Sequence, residues 1–217
     1  YGEDPTINRL EETSAALLET DSALFCASGT QGNLLALLAH CQRGDEFIVG
    51  QNSHTYQYEG GGAAALGSVH PQPLDFEADG TLDLDKVAAV IKPDDYHFPP
   101  TKLLCLENTR GGSVLPLDYL QTARRFVDER GLGLHLDGAR IFNASIALGI
   151  PVTDISRNFD SISFCLSKGL GAPVGTLLCG DKAFITEARR WRKALGGGMR
   201  QAGIIAAAGL YALENHI

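Results

Sequence analysis

The chain has 217 residues, 44% of them hydrophobic and 20% charged, with a formal net charge of -8. That length allows one large core burying roughly 70% of the surface the unfolded chain exposes. The acidic balance and the lack of any Lys/Arg block argue against a nucleic-acid footprint, and no apolar run reaches the roughly 20 residues needed to span a bilayer.

Five cysteines occur, Cys26, Cys41, Cys105, Cys165 and Cys179. The count is odd and there is no C-x-x-C, as expected of buried free thiols in a reducing cytoplasm. The chain opens on "YGEDPTINRL" without a methionine and stops inside a helical pattern, so it reads as an excerpt of a longer protein.

In chain order, residues 7–18 carry apolar side chains at helical spacing. "ALFCAS" (23–28) reads as a buried strand, broken by "GTQGN" and followed by the helix "LLALLAHC". "EFIVG" (46–50) is a strand, "LDLDKVAAVI" a helix and "KLLCLEN" (102–108) a strand. "PLDYLQTARRFVDERG" is a helix with proline at its start and glycine at its end. "LGLHLDGAR" is a strand that breaks at Gly138, "SISFCLSKG" and "GTLLCG" are strands, and "KAFITEARRWRKAL" and "RQAGIIAAAGLYALENH" are helices. Strands read as continuous apolar runs alternating with helices, which predicts an α/β fold with a mainly parallel sheet covered on both faces.

Ligands bind at the carboxyl ends of the strands in such a sheet. After the first strand comes Ser28-Gly29-Thr30-Gln31-Gly32-Asn33 at the start of a helix, suited to a phosphate or simply a strand-helix turn capped by Thr30. After "LGLHL" comes Asp137, whose burial calls for a cationic partner, either Arg140 or a ligand. After "SISFCL" comes Lys168, a turn lysine or an imine-forming amine. Phosphate cradle, acid and lysine together fit one cofactor, pyridoxal phosphate, held by lysine with an acid on its ring nitrogen.

Of the six histidines, His54 lies in the polar, glycine-rich "NSHTYQYEGGG", where its ring could stack on the cofactor. His97, in "DDYHFPPTK", precedes a strand, while His40 and His135 read as structural. No metal-ligand spacing is present.

The segments "YGEDPT", "SGTQGNLLALLAHCQRGDE", "KPDDYHF", "LHLDGARIFNA", "CLSKGLGAPVG" and "RKALGGGMRQAGI" occur in family order, and with them the chain resembles the low-specificity L-threonine aldolases. The resemblance implies the large domain of the fold-type I pyridoxal phosphate enzymes over residues 1–217, without the family's N-terminal segment or its C-terminal small domain. It implies that Lys168 binds the cofactor, that Asp137 meets the pyridine nitrogen, and that Arg140 helps hold cofactor and substrate carboxylate. It assigns Gly29 and Thr30 to the phosphate, His54 to the ring face and His97 to the neighbourhood of the substrate hydroxyl. Arg200 would reach a cofactor phosphate at a subunit interface, with Tyr1 nearby, in a homotetramer of dimers that share sites. Where family members read "LENTHNG" this chain reads "LENTRGG", and Arg110 adds charge and length to a loop near the substrate entrance.

The implied reaction is retro-aldol cleavage of a β-hydroxy amino acid to glycine and an aldehyde, with His54 or His97 as base. Breaking Cα–H instead would make the protein an amino-acid racemase. A non-catalytic phosphate-ligand binder would use only the Ser28-to-Asn33 loop and leave Lys168 and Asp137 unexplained.

Overall fold

The computed structural model describes residues 1–217. Its elements are α1 (Pro5–Leu18), β1 (Ser22–Cys26), α2 (Gly29–His40), β2 (Glu46–Gly50), α3 (His54–Gln57), α4 (Gly62–Ala65), β3 (His70–Leu74), α5 (Leu84–Val90) and β4 (Thr101–Glu107). They continue with α6 (Leu117–Asp128), β5 (Gly133–Asp137), α7 (Ile141–Leu148), α8 (Val152–Ser156), β6 (Ser161–Cys165), β7 (Thr176–Gly180), α9 (Lys182–Ala194) and α10 (Gly203–Asn215).

The seven strands form one sheet in the order β1-β7-β6-β5-β4-β2-β3. β7 is antiparallel to both β1 and β6, so the other six strands all point the same way. β3 carries no strand pattern in the sequence, because Pro71 and Pro73 interrupt it. An edge strand tolerates them, since prolines there cost no inter-strand hydrogen bond on the open side.

Helix starts follow from side-chain caps. Asp4 accepts hydrogen bonds from the backbone N–H of Thr6 and Ile7, and Pro5 opens α1. Ser28, rather than Thr30, caps α2 by accepting from the N–H of Gln31.

Helices cover both faces of the sheet. Phe25, Ile48, Leu104, Leu106, Leu134, Leu136, Ile162 and Phe164 point to one face and join α1, α6 and α10 in the main core. On the other face the apolar packing splits in two. Leu24, Cys26 and Leu178 pack on Leu35, Ala36 and α9, while Phe47, Val49, Leu103 and Cys105 pack on Leu37.

Between these two clusters the face is polar and still buried. β5 alternates Leu134-His135-Leu136-Asp137 and β6 alternates Ser161-Ile162-Ser163-Phe164. The continuous apolar run expected of buried strands therefore fails at the sheet centre. His135, Asp137, Ser161 and Ser163 are all at most 5% exposed, and they meet α2 instead of water.

Candidate active site

β1, β2, β4, β5 and β6 deliver their carboxyl ends to one edge of the sheet, where the chain places its polar loops. Cys26 leads to the N-terminus of α2, Gly50 to His54, Glu107 to Asn108, Asp137 to Gly138 and Cys165 to Lys168. Glu107 and Asp137 are register partners on adjacent strands, as are Asp137 and Ser163.

The N-terminus of α2 sits tightly on this edge. A Cβ on Gly29 would lie 3.1 Å from Cys165 Sγ, so glycine lets the helix start descend onto the end of β6. The first N–H groups of a helix have no intrahelical acceptor. Those of Gly29 and Thr30, half-buried, face this edge as donors with the positive end of the helix dipole behind them.

Asp137 is 5% exposed. Its Oδ1 accepts from the Ala139 N–H at 3.1 Å and its Oδ2 from Asn33 Nδ2 at 2.8 Å. No Asp–Arg pair forms: Arg140 is exposed at the start of α7, and its side chain bonds elsewhere to nothing in the chain. Asn33 Nδ2 also donates to Glu59 Oε1 at 2.8 Å, and His54 Nδ1 lies 2.9 Å from the same oxygen. The His54 N–H donates to Glu107 Oε2 at 2.8 Å. Burial is the main force pushing the Glu59 carboxyl up to about 7, against the pull of the Asn33 and His54 hydrogen bonds. Burial raises Glu107 as well.

His54, Glu59 and Asp137 present possible ligand atoms within 4.8 Å of one another. The Asn33 amide bridges the two carboxylates and the His54 ring bonds to Glu59, and those hydrogen bonds account for the closeness.

Lys168 stands three residues beyond β6, exposed, in a turn closed by the Gly171 N–H on its carbonyl at 3.0 Å. The next residue, Gly169, packs against the side-chain amide of exposed Asn143, which a larger residue would displace. Lys168, Asp137 and Arg140 all act electrostatically on the Cys165 thiol, which burial pushes up. The lysine, the acid and the arginine thus converge on the end of β6.

The remaining sequence-derived positions make other contacts. His97 sits in the loop before β4, at the opposite edge of the sheet. There it is exposed, with its Nδ1 2.6 Å from Asp95 and its ring 4.0 Å from that of Tyr96. Arg200 is exposed between α9 and α10, its guanidinium 4.6 Å above the Tyr1 ring. Lys193 donates to the Tyr1 hydroxyl at 2.9 Å. Arg110 lies 4.3 Å above the Phe76 ring.

Glu59 and Glu107 carry no local signal in the sequence, and Asn33 stands there only as the last residue of the Ser28-to-Asn33 loop. One signal was available for Asn33: it and His40 are polar residues two turns apart on an otherwise Leu/Ala-rich helix, hence on one face.

Comparison with known proteins matches the model of the beta-eliminating lyase family to residues 1–217. A low specificity L-threonine aldolase from Escherichia coli is 59% identical over 217 residues, covering 100% of this chain and 65% of the relative. A low-specificity L-threonine aldolase 1 from Arabidopsis thaliana is 47% identical, covering 100% of this chain and 62% of the relative. The chain thus spans somewhat under two thirds of the length of these curated relatives. The structure of a threonine aldolase from Leishmania major superposes with a TM-score of 0.87 at 25% identity, over 99% of this chain and 64% of that one. The match along the entire chain agrees with the layered sheet and its single polar edge, and this chain belongs to the beta-eliminating lyase family.

Proposed function

We propose that the chain is the cofactor-binding large domain of a pyridoxal phosphate-dependent aldolase that splits L-threonine, L-allo-threonine and related β-hydroxy amino acids into glycine and an aldehyde. The carrying observation is that one sheet edge collects the open N–H groups of α2, a buried carboxylate and a lysine beyond the neighbouring strand. The similarity to threonine aldolases selects the reaction.

The donor set fits the cofactor. The Gly29 and Thr30 N–H groups would take its phosphate, Asp137 would meet its ring nitrogen and Lys168 would hold its aldehyde carbon. When bound, pyridoxal phosphate supplies an electron sink for the bond broken at the substrate Cα. Arg140 is exposed beside this edge and available to a phosphate or a substrate carboxylate.

His54 is the base this arrangement favours. Glu59 holds its Nδ1, which leaves Nε2 without a protein partner and able to take the β-hydroxyl proton. The carboxylate thereby fixes ring orientation and tautomer, as acids behind catalytic histidines do.

Arg200 and Tyr1, exposed and bonded to nothing in the site described above, suit a role at a neighbouring subunit's site in a homotetramer of dimers. The five cysteines are free and buried, which supports a reducing, cytoplasmic setting. No helix is long and apolar enough to cross a membrane.

The test is direct. Borohydride reduction after adding pyridoxal phosphate should place the pyridoxyl group on Lys168, and L-threonine should then yield glycine and acetaldehyde in equal amounts from the full-length protein. A label on another lysine, or Cα proton exchange without aldehyde release, would overturn the assignment.

A further inference from the structure

We propose that Asn33 is a positioning residue: its amide locks Asp137 and Glu59 in place, and a buried chain of Ser163, His135, Ser161 and His40 backs its carbonyl oxygen. The inference rests on the cofactor-site reading above, since it assigns Asp137 and Glu59 their work.

Hydrogen counting carries it. Asn33, 1% exposed, has two amide hydrogens, and its Nδ2 lies 2.8 Å from carboxylate oxygens of both Glu59 and Asp137. The flipped amide would aim its carbonyl oxygen at two carboxylates, so each hydrogen goes to one acid. Asn33 Oδ1 must then accept, and it does so from Ser163 Oγ at 2.6 Å and from His135 Nε2 at 3.3 Å.

Burial lowers His135 to about 3 and His40 to about 4, so both rings are neutral and carry one hydrogen each near neutrality. With its hydrogen on Nε2, His135 has a bare Nδ1, which accepts from Ser161 Oγ at 2.8 Å. Ser161 has then used its hydrogen and accepts from His40 Nε2 at 2.7 Å.

Every donor in the chain from His40 to Asn33 therefore points the same way, towards the two acids. Asn33 and His40 lie seven residues apart on α2, about 10 Å along the axis. Ser161 and Ser163 lie beneath them on β6. The two carboxylates set this direction, and the chain behind the amide follows it with one consistent orientation for each imidazole and hydroxyl. Chains of this kind polarise one another and strengthen the terminal bonds. The polar face of β5 and β6 is thus explained by what it presents at the carboxyl edge.

The experiment compares four proteins, namely wild type, Asn33→Leu, His135→Gln and His135→Leu. The first measurement is pyridoxal phosphate affinity. The second is the ionisation of the Glu59 carboxyl, followed by NMR of 13C-carboxyl-labelled glutamate and assigned with Glu59→Gln.

In wild type the carboxyl should titrate at about 7. Asn33→Leu removes a hydrogen bond that lowers this midpoint and leaves Asp137, which raises it, and His54, which lowers it. The midpoint should move up, and cofactor affinity should weaken about tenfold or more, the usual scale for losing a donor to a charged group. Glutamine at position 135 retains a donor where His135 has its Nε2–H. His135→Gln should therefore keep both properties close to wild type, while His135→Leu should shift both in the direction of Asn33→Leu.

An Asn33→Leu protein that folds with unchanged midpoint and affinity overturns the inference. If that variant does not fold, equal behaviour of the two His135 variants overturns it instead. A wild type that binds no pyridoxal phosphate defeats the functional reading, while the Glu59 midpoint still decides the role of Asn33.

Discussion

Both edges of the sheet bury a carboxylate, and they treat it differently. At the amino edge, Glu46 is fully buried at the start of β2. It accepts from the Thr101 hydroxyl at 2.9 Å and faces Lys92 Nζ at 3.4 Å and His70 Nε2 at 3.8 Å. At the carboxyl edge, Asp137 and Glu59 have no lysine or arginine paired with them. They share a neutral amide, Glu59 also bonds the His54 ring, and Lys168 and Arg140 on the same edge stand exposed and unengaged. An acid whose cation comes from its own chain has its charge compensated by the fold. An acid given only neutral donors, with open N–H groups and a free lysine on the same edge, is arranged for something that arrives from outside.

The contrast breaks most sharply under paired substitutions. Asp137→Asn should leave the protein folded and reduce turnover about 10³-fold, because an amide cannot hold a ring nitrogen protonated. Glu46→Gln should do the reverse. It weakens the Thr101 hydrogen bond to a charged acceptor and removes the charge facing Lys92, and should cost about 2 kcal/mol of stability. Cofactor affinity should not change. Urea unfolding and glycine release, measured on both variants, check the pair together. A Glu46→Gln protein that loses turnover while keeping its stability would erase the distinction between the edges.

A smaller effect concerns Glu59 at the carboxyl edge. Burial is the main cause that raises Glu59 from 4.5 to about 7, so the fold prefers its neutral form. A raised acid contributes stability that is complete below its unfolded value and lost as pH rises through the folded one. Relative to Glu59→Gln, wild type should lose stability between pH 4.5 and about 7 and then level off. The full drop is about 3 kcal/mol for a shift of this size. Urea midpoints across pH 4–8 give the difference curve. A curve that rises over that interval would mean that the Asn33 and His54 hydrogen bonds outweigh burial.

How legible this was depended on what each pattern encodes. Lys168, Asp137 and the Gly29-Thr30 pair were visible because they follow strands, and a parallel sheet gathers strand ends into one place. The contacts of Asn33, Glu59 and Glu107 were not, because they run across 26 to 104 positions of sequence that no local pattern records. The alternation in "LHLD" and "SISF" was present in the sequence. It was read as simple apolar burial because a polar strand face usually signals water. Here that face signals a helix bearing an asparagine and a histidine. β3 was missed for the opposite reason, since prolines that usually exclude a strand sit here on an edge.

The smallest expected effect within a single chain concerns His97, and it sharpens the comparison most. The loop that holds it precedes β4, so it opens from the amino edge. β4 has seven residues, placing the carboxyl edge about 20 Å away. His97 is engaged with Asp95 at 2.6 Å, while neighbouring Tyr96 is 92% exposed and Phe98 45% exposed. A histidine so placed cannot serve the site of its own chain. If it serves any site, that site belongs to another copy, against which Tyr96 and Phe98 could pack. The prediction follows: His97→Phe should leave cofactor affinity and unfolding unchanged. A mixture of Lys168→Ala and His97→Phe subunits, refolded together, should recover activity that neither shows alone, because one pairing in the hybrid joins an intact Lys168 site to an intact His97. Recovery would place the two histidines in one site from opposite edges of two chains. If the His97→Phe protein alone is fully active, the carboxyl edge works without the amino edge and His54 is the only histidine the reaction uses.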